Sequence, residues 1–307
     1  MRRFSKISTV QLARICGVSQ GTVDRALHNR DGINPETRER ILRVAKEYDY
    51  IPGIKNADQA NSMLIGVVLF DLYNEFFSKL AMSIVNIARE YGYSIIFQFS
   101  EKNEQNEKAA IEYFDYIGVD GIILFSVGSD SSEYENYLRS LKKPLVLIGN
   151  RMFDLPFIGI DDFSAMFELT HRVANTAHSG DIVYYAPILK KELHSTNAQR
   201  LRLDGFVNAV KTLDKPYRIA TDIDELTRFG CIVSPTDYYV LRVLKHFGYP
   251  NDIKIGGFDN ISLLKSINSS VLTVDYSTDK IAEECMNYIL GRRYEPQIEY
   301  KLVYNSD

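Results

Sequence analysis

Near the N-terminus, Gln20, Gly21, Asp24, Arg25 and His28 fall on one outward face of a helical pattern that starts at Ser19. Their types suit the reading of nucleic-acid bases. Arg25 carries the planar fork that bonds guanine O6 and N7 together, and Gln20 matches adenine or a phosphate oxygen. Other chemistry is sparse. Histidines occur at 28, 171, 178, 194 and 246. His171 and His178 are two turns apart on a predicted helix, but no third ligand lies close in sequence to complete a metal set. Cys16, Cys231 and Cys285 form no C-x-x-C pair and are odd in number, which fits buried free thiols in a reducing compartment. No P-loop, no G-x-G-x-x-G after the first strand and no G-x-S-x-G occurs, so neither catalysis nor a cofactor or metal is expected.

Three helical patterns must position the outward face. The first runs about 9–16 and turns Leu12, Ala13 and Cys16 inward at spacings of three and four. Gly17 is placed to end it. The second takes Ser19 as its N-cap and turns Val23, Ala26 and Leu27 inward. The third follows Asn34, with Pro35 at its first position and an inward stripe of Ile41, Leu42, Ala45 and Tyr48. Two helices on a tight glycine turn, braced by a third, make a helix-turn-helix. Such a turn aims the start of the second helix into a major groove. A small helical bundle that binds protein satisfies the same periodicity.

Charge is unevenly spread. The first sixty residues hold 11 Lys and Arg against 7 Asp and Glu, while the whole chain holds 36 against 40, leaving 25 against 33 for the remainder. A basic head on an acidic body suits a polyanion-binding module fused to a second unit. At 307 residues the chain is long for a single core. Its 45% hydrophobic and 25% charged content is that of a globular protein. No apolar run is long enough for a membrane span, and the charged start lacks the apolar stretch of a secretory signal. A cytoplasmic location, associated with the nucleoid, is expected.

From Leu64 onward, apolar strands alternate with helical patterns. LIGVVLF precedes a helix over 76–91, then come SIIFQF, a helix over 104–117, GIILFS, a helix near 132–142 and PLVLIGN. A second series starts at FIGID and passes through a helix over 162–177, DIVYYAP, a helix over 196–212, YRIAT, CIVSP, a helix near 237–247 and KIGGFD. It ends with LTVDY, a helix near 278–290 and a strand near 298–304. This order predicts parallel, doubly wound sheets.

The stretch STVQLARICGVSQGTVDRALHNRDGINPETRERILRVAKEYDYIP resembles the head of the LacI/GalR family, whose pattern is roughly T-x-x-x-V/L-A-x-x-x-G-V-S-x-x-T-V-S-R-x-L-N followed by T-R-x-R-V and L-G-Y-x-P. The resemblance implies base reading by Gln20, Gly21 and Arg25 and phosphate contacts by Ser19 and Thr22, with His28 on the same face. Gly21 and Asp24 depart from the pattern, so the operator should differ from the family's commonest sequences. Asp24 has Arg25, Arg14 or a cytosine amine as partners. The segment GIKNADQANSM stands where family members place a hinge helix with A-R-x-L. Its Arg and Leu are missing here, and a solvated linker fits equally well. Ala57 is the position for a minor-groove contact.

The resemblance continues through the body, more loosely. It implies a periplasmic-binding-protein-like fold of two doubly wound lobes joined by three crossovers, with ligands bound between facing strand ends. The expected division is a head over 1–52, a linker over 53–63 and an effector-binding body over 64–307. One lobe takes about 64–158 and 278–294, the other about 159–277 and 295–307. DLYNEFF resembles D-x-x-N-P-F-F, which brings Asp71 and Tyr73 to the cleft, with Phe76 or Phe77 in the core. RLDGF resembles R-x-x-G-F and makes Arg202 the ligand-gripping arginine. SPTDYYVL resembles A-N-D-x-x-A-L, placing Thr236 at a ligand position and Asp237 at a helix cap. GGFDN and LTVDYS add Asp259 and Tyr276, and Asn150 follows PLVLIG. Lys190, Lys191 and His194 lie near the cleft-side loop, so the effector is expected to be a sugar or a sugar phosphate. The partners implied are a double-stranded DNA operator and a second copy of the chain, as a homodimer or a higher assembly. Two other readings compete: a sugar-binding protein with no DNA role, and a doubly wound sugar-metabolising enzyme.

Overall fold

The computed structural model describes residues 7, 9–27, 30–48, 50, 62–128, 131–176, 182–191, 196–226, 230–248, 250, 253–267 and 270–305. The head holds α1 (Thr9–Ile15), α2 (Gln20–Leu27) and α3 (Pro35–Glu47). Leu12, Val23 and Ile41 are wholly buried where the three helices meet, with Ala13, Cys16, Ala26 and Ala45 around them. Gly17 takes a φ of 63°, closing α1 in the left-handed region. Asn34 caps α3 by accepting from the Glu36 amide at 2.9 Å, with Pro35 next. Leu42 corrects the expected stripe. It is 45% exposed, because one residue past Ile41 the helix has turned about 100°. Val44 packs against the buried set in its place.

The body contains β1 (Leu64–Leu69), α4 (Glu75–Glu90), β2 (Ser94–Phe99), α5 (Glu104–Ile117), β3 (Gly121–Leu124), α6 (Ser132–Arg139), β4 (Leu145–Ile148) and β5 (Phe157–Ile158). These strands form one parallel sheet in the order β2-β1-β3-β4-β5. There follow α7 (Asp162–Thr176), β6 (Ile182–Tyr185), a 3-10 turn at Pro187–Lys191, α8 (Asn197–Thr212), β7 (Tyr217–Ala220), β8 (Cys231–Val233), α9 (Asp237–Phe247) and β9 (Lys254–Phe258). Then come the short α10 (Ser262–Lys265), β10 (Val271–Tyr276), α11 (Thr278–Ile289) and β11 (Tyr300–Tyr304). The second sheet runs β11-β10-β9-β8-β6-β7. It is parallel except for β11, which pairs antiparallel with β10 at one edge.

The chain returns between lobes near its end. α11 packs on α4 of the first lobe, and β11 rejoins the second sheet. At one crossover the Gly159 amide donates to Pro296 O at 3.0 Å and Gly159 O accepts from the Ile298 amide at 2.8 Å. Central strands such as β3, β4 and β6 are buried throughout, as strands covered on both faces must be. All three cysteines are buried and unpaired. Among the described residues no helix is long and apolar enough to cross a membrane.

One close approach sets the geometry of the second lobe. A Cβ on Gly205 would lie 2.4 Å from the Phe163 carbonyl oxygen and 3.1 Å from the Phe167 amide. The glycine therefore lets α8 rest directly on the backbone of α7. We predict that Gly205→Ala forces the helices apart and costs about 1–3 kcal/mol of stability, the usual penalty of overpacking. Denaturant unfolding of the variant would measure this.

Candidate functional site

Between the lobes lies a cavity of about 320 Å³, at the small end of ligand-pocket sizes. Strand ends position its walls. Phe70 follows β1, Phe125 follows β3, Thr236 follows β8, Asp259 follows β9, and Tyr276 ends β10.

Arg202 is the most constrained side chain. It projects from α8, is 9% exposed, and its Nε donates to Asp162 Oδ1 at 2.7 Å. Nη1 donates to Pro235 O at 2.7 Å and stands 3.8 Å from Asp259 Oδ1. The guanidinium carbon lies 3.5 Å from the Phe258 ring centroid, a stacking that suits a planar delocalised cation. Tyr276 donates its hydroxyl to Asp259 Oδ1 at 3.0 Å. One cation thus serves two buried carboxylates. Burial pushes the Asp259 carboxyl up to about 6, although Arg202 and the Tyr276 hydroxyl pull it back. Burial also raises Asp162 against the pull of Arg202. The Tyr276 hydroxyl stays protonated well beyond the usual tyrosine range, through burial and the neighbouring Asp259 carboxylate.

Asp259 sits in an unusual backbone, with φ of 99°, followed by Asn260 at 46°. Left-handed φ at non-glycine residues is strained and persists only where neighbours fix it. Here the Asp259 amide donates to Val274 O at 3.0 Å, the Asn260 amide to Thr273 Oγ1 at 3.3 Å, and the Ile261 amide to Asp237 Oδ2 at 3.1 Å. Asp237 is wholly buried and also accepts from the Thr273 hydroxyl at 2.9 Å. Its carboxylate therefore braces the Asp259 loop, whereas a helix-capping role was expected. The N-cap of α9 is Thr236, whose side chain makes no capping bond and lines the cavity. Gly257 makes room for the brace, since a Cβ there would meet Asp237 Oδ1 at 2.0 Å.

Aromatic rings connect the two walls. Phe125 to Phe77 is 4.9 Å between centroids, Phe77 to Phe76 5.4 Å, Phe76 to Tyr276 5.6 Å and Tyr276 to Phe258 6.0 Å. Both Phe76 and Phe77 are buried and both line the cavity. Asp71 lines it too, with Oδ1 accepting from the Tyr73 amide at 2.9 Å. Tyr73 stands at the rim, 95% exposed.

Asn150 departs from expectation. It is 0% exposed and does not line the cavity. Its Nδ2 donates to Ser126 O at 3.0 Å and its Oδ1 accepts from the Asn197 amide at 2.8 Å. The amide group is consumed in tying the first lobe to the start of α8. Three contributors escaped sequence reading. Asp162 begins α7 as the partner of Arg202. Lys102 adds a cation to the wall. Gln199 lines the cavity with a buried Oε1 that accepts no bond from the protein. Gln199 lies three residues before Arg202, a spacing that shares a helix face. The side chains of Lys190 and Lys191, and His178 and His194, lie outside the described residues. Among the described residues no three His, Cys, Asp or Glu side chains gather as a metal set.

In the head, Ser19, Gln20, Gly21 and Arg25 are exposed together at the start and along one side of α2, with Thr22 half-buried. Ser19 Oγ accepts from the Thr22 amide at 3.2 Å and lies 2.9 Å from the Thr22 hydroxyl. Asp24 pairs with Arg30 at 3.0 Å, a partner that sequence reading did not name. His28 and Ala57 lie outside the described residues.

Residues 11–53 match the family model of bacterial regulatory proteins of the lacI family. Residues 62–223 match that of periplasmic binding proteins and the sugar binding domain of the LacI family. Catabolite control protein A of Staphylococcus xylosus is 29% identical over 295 residues, 87% of either chain. A LacI-family transcriptional regulator from Silicibacter pomeroyi has the same fold at a TM-score of 0.68 and 19% identity, over 97% of this chain and 98% of that one. The transcriptional regulator CelR, solved with cellobiose, gives 0.64 and 20% over 98% and 100%.

The raised Asp259 carboxyl gives a pH prediction. A hydroxylated ligand that donates to Asp259 needs the carboxylate. Its affinity should be level above pH 7 and fall as pH drops through about 6, by up to about tenfold per pH unit. Calorimetric titration from pH 5 to 8 would show this, and Asp259→Asn should remove the dependence.

Proposed function

The chain belongs to the lacI family of bacterial regulatory proteins and is a DNA-binding transcription regulator with a sugar-binding-type body; on that premise we propose that it is a repressor governed by a small carbohydrate held between its lobes. The single observation that carries the effector reading is the group of buried Arg202, Asp162 and Asp259 with the half-buried Tyr276, opening onto an aromatic-walled cavity. Arg202 has five N–H donors, and two of them are taken by Asp162 and Pro235. The rest, with Asp259 and Gln199, offer donors and acceptors to sugar hydroxyls, while Phe76 and Tyr276 offer faces to its apolar side. We assign Asp71 and Thr236 to the same site, Tyr73 to its rim, and Asn150 to the tie between lobes.

The wall of the cavity bears on the charge of its ligand. Among its described residues, Asp71, Asp162 and Asp259 outnumber Lys102 and Arg202. A phosphate would meet few uncommitted cations, which favours an unphosphorylated sugar. Closure of the body around such a ligand is a hinge motion. By linkage, it shifts DNA affinity only as far as the ligand prefers one body state.

For the head we propose that residues 1–52 read DNA, with Arg25, Gln20 and Gly21 at the bases and Ser19 and Thr22 at phosphates. Residues 53–63 link the head to the body over 64–307. One head reads only a few base pairs, so a homodimer on an imperfect palindrome is required for useful specificity. The cytoplasm is the compartment where such a regulator meets its operator.

Three outcomes test these assignments. Arg25→Ala should lose about 1–3 kcal/mol of discrimination at one base pair, read by gel shift on operator variants; uniform weakening with a shallower salt slope would make Arg25 a phosphate contact. In a thermal-shift panel, an unphosphorylated sugar should raise Tm more than its phosphate ester does. Arg202→Lys keeps a cation beside Asp162 but lacks the fork and the stacked plane, and it should abolish that shift.

A further inference from the structure

The lobes also meet at the mouth of the cleft, away from the crossovers. Glu75, the first residue of α4 in the first lobe, accepts two backbone hydrogen bonds from the second lobe. The Ser262 amide donates to Oε1 at 2.6 Å and the Leu263 amide to Oε2 at 3.2 Å. These are the first two amides of α10, groups that lack partners within their own helix. Ile261, at the cap of α10, offers no side-chain bond. Partial burial works against the Glu75 charge. The Ser262 hydroxyl, the two amides and Lys79 outweigh it and hold the carboxyl below its ordinary value.

Both ends of this contact adjoin the cavity. Glu75 directly follows the segment of Asp71, Tyr73 and Asn74, all of which line it. Asn74 Oδ1 caps α4 by accepting from the Phe76 amide at 3.1 Å. Ser262 comes three residues after Asp259, at the end of the turn that holds Asp259 and Asn260 at positive φ. The Glu75 carboxylate therefore ties the Asp71 loop to the Asp259 loop at the rim, above the Phe76 and Tyr276 ring contact deeper in the cleft.

We infer that Glu75 is a positioning residue: a latch across the cleft mouth that holds the two lobes together and sets Asp259 for the ligand. The inference rests on the reading of the cleft as the effector site, but the latch itself requires no ligand. Charge-assisted bonds to backbone amides are short and comparatively strong. Exposed at the rim, they exchange with water, so the latch biases the open and closed populations without locking either.

Hydrogen exchange on the full-length protein without ligand tests it. In Glu75→Ala, exchange over 259–265 should rise at least tenfold. The rise should spread to cavity-wall segments in both lobes, 125–128 and 236–239, while amides of β3 and β4 stay unchanged as a check on the fold. Glu75→Gln retains one carbonyl acceptor and should fall between. Ser262→Pro removes the shorter of the two bonds from the donor side and leaves the Leu263 amide in place. Proline suits the first helical position, and Ile261 already has the extended backbone that precedes it, with φ of −71° and ψ of 143°. This variant should give the same spread of exchange at an intermediate level, and adding it to Glu75→Ala should raise exchange no further. A rise confined to residues 262 and 263, or no rise at all, would overturn the latch. A sugar panel that shifts no Tm would instead overturn the effector reading and leave this result standing.

Discussion

A guanidinium buried between two carboxylates constrains everything around it. Removing a charge from water costs several kcal/mol, recovered only when partners and geometry are right. Arg202 meets that condition through pieces from separate elements: Asp162 at the start of α7, Pro235 O after β8, and Phe258 with Asp259 at the end of β9. Tyr276 from β10 completes the set by holding Asp259. The parallel order of β8, β9 and β10 brings these ends together, and Gly205 lets α8 come close enough for its arginine to reach them. Beneath this group, the buried Asp237 braces the strained turn from which Asp259 projects. Unpairing any one member would leave a buried charge exposed to the low-dielectric interior, so the members hold one another in place.

The first lobe meets this charged group with an apolar surface. Its share of the wall is chiefly aromatic, running from Phe125 through Phe77 and Phe76 to Tyr276. Another buried carboxylate, Glu107 of α5, anchors the loop behind Phe125, accepting from the Ser126 hydroxyl at 2.8 Å, from the Val127 amide at 2.6 Å and from the Tyr134 hydroxyl. Burial raises its carboxyl. Ser126 O then accepts from Asn150, whose other end takes the Asn197 amide at the start of α8. Polar bonds thus run from the core of the first lobe to the helix that carries Arg202. A change in lobe angle is felt at both ends of that path.

Much of this was legible in the residue order. Alternation of apolar runs with helical stripes located nearly every strand and helix, because buried parallel strands have no polar face to blur the signal. Arg202, Asp259 and Tyr276 were implied by the family resemblance of their segments, and the structure brings the three side chains together at the cavity. What escaped were relations between distant segments. Nothing local tells that Asp162 pairs with Arg202, forty residues on, or that Asn150 spends both ends of its amide on the backbone. Asp237 looked like a cap because it opens a helix, yet its carboxylate turns to a loop twenty-four residues away. Leu42 failed for a simpler reason: on a short helix with little apolar surface, one residue of phase decides between core and solvent.

We propose that a ligand bound at the Arg202 group changes how the heads engage DNA. The most direct measurement is operator affinity of the full-length protein, by fluorescence anisotropy, with and without a saturating amount of the sugar that most raises its Tm. The account predicts a change of roughly 5–150-fold, the span of typical coupling energies, and no change in Asp162→Asn. Operator affinity that stays the same in the wild-type protein when the cleft is saturated would contradict it.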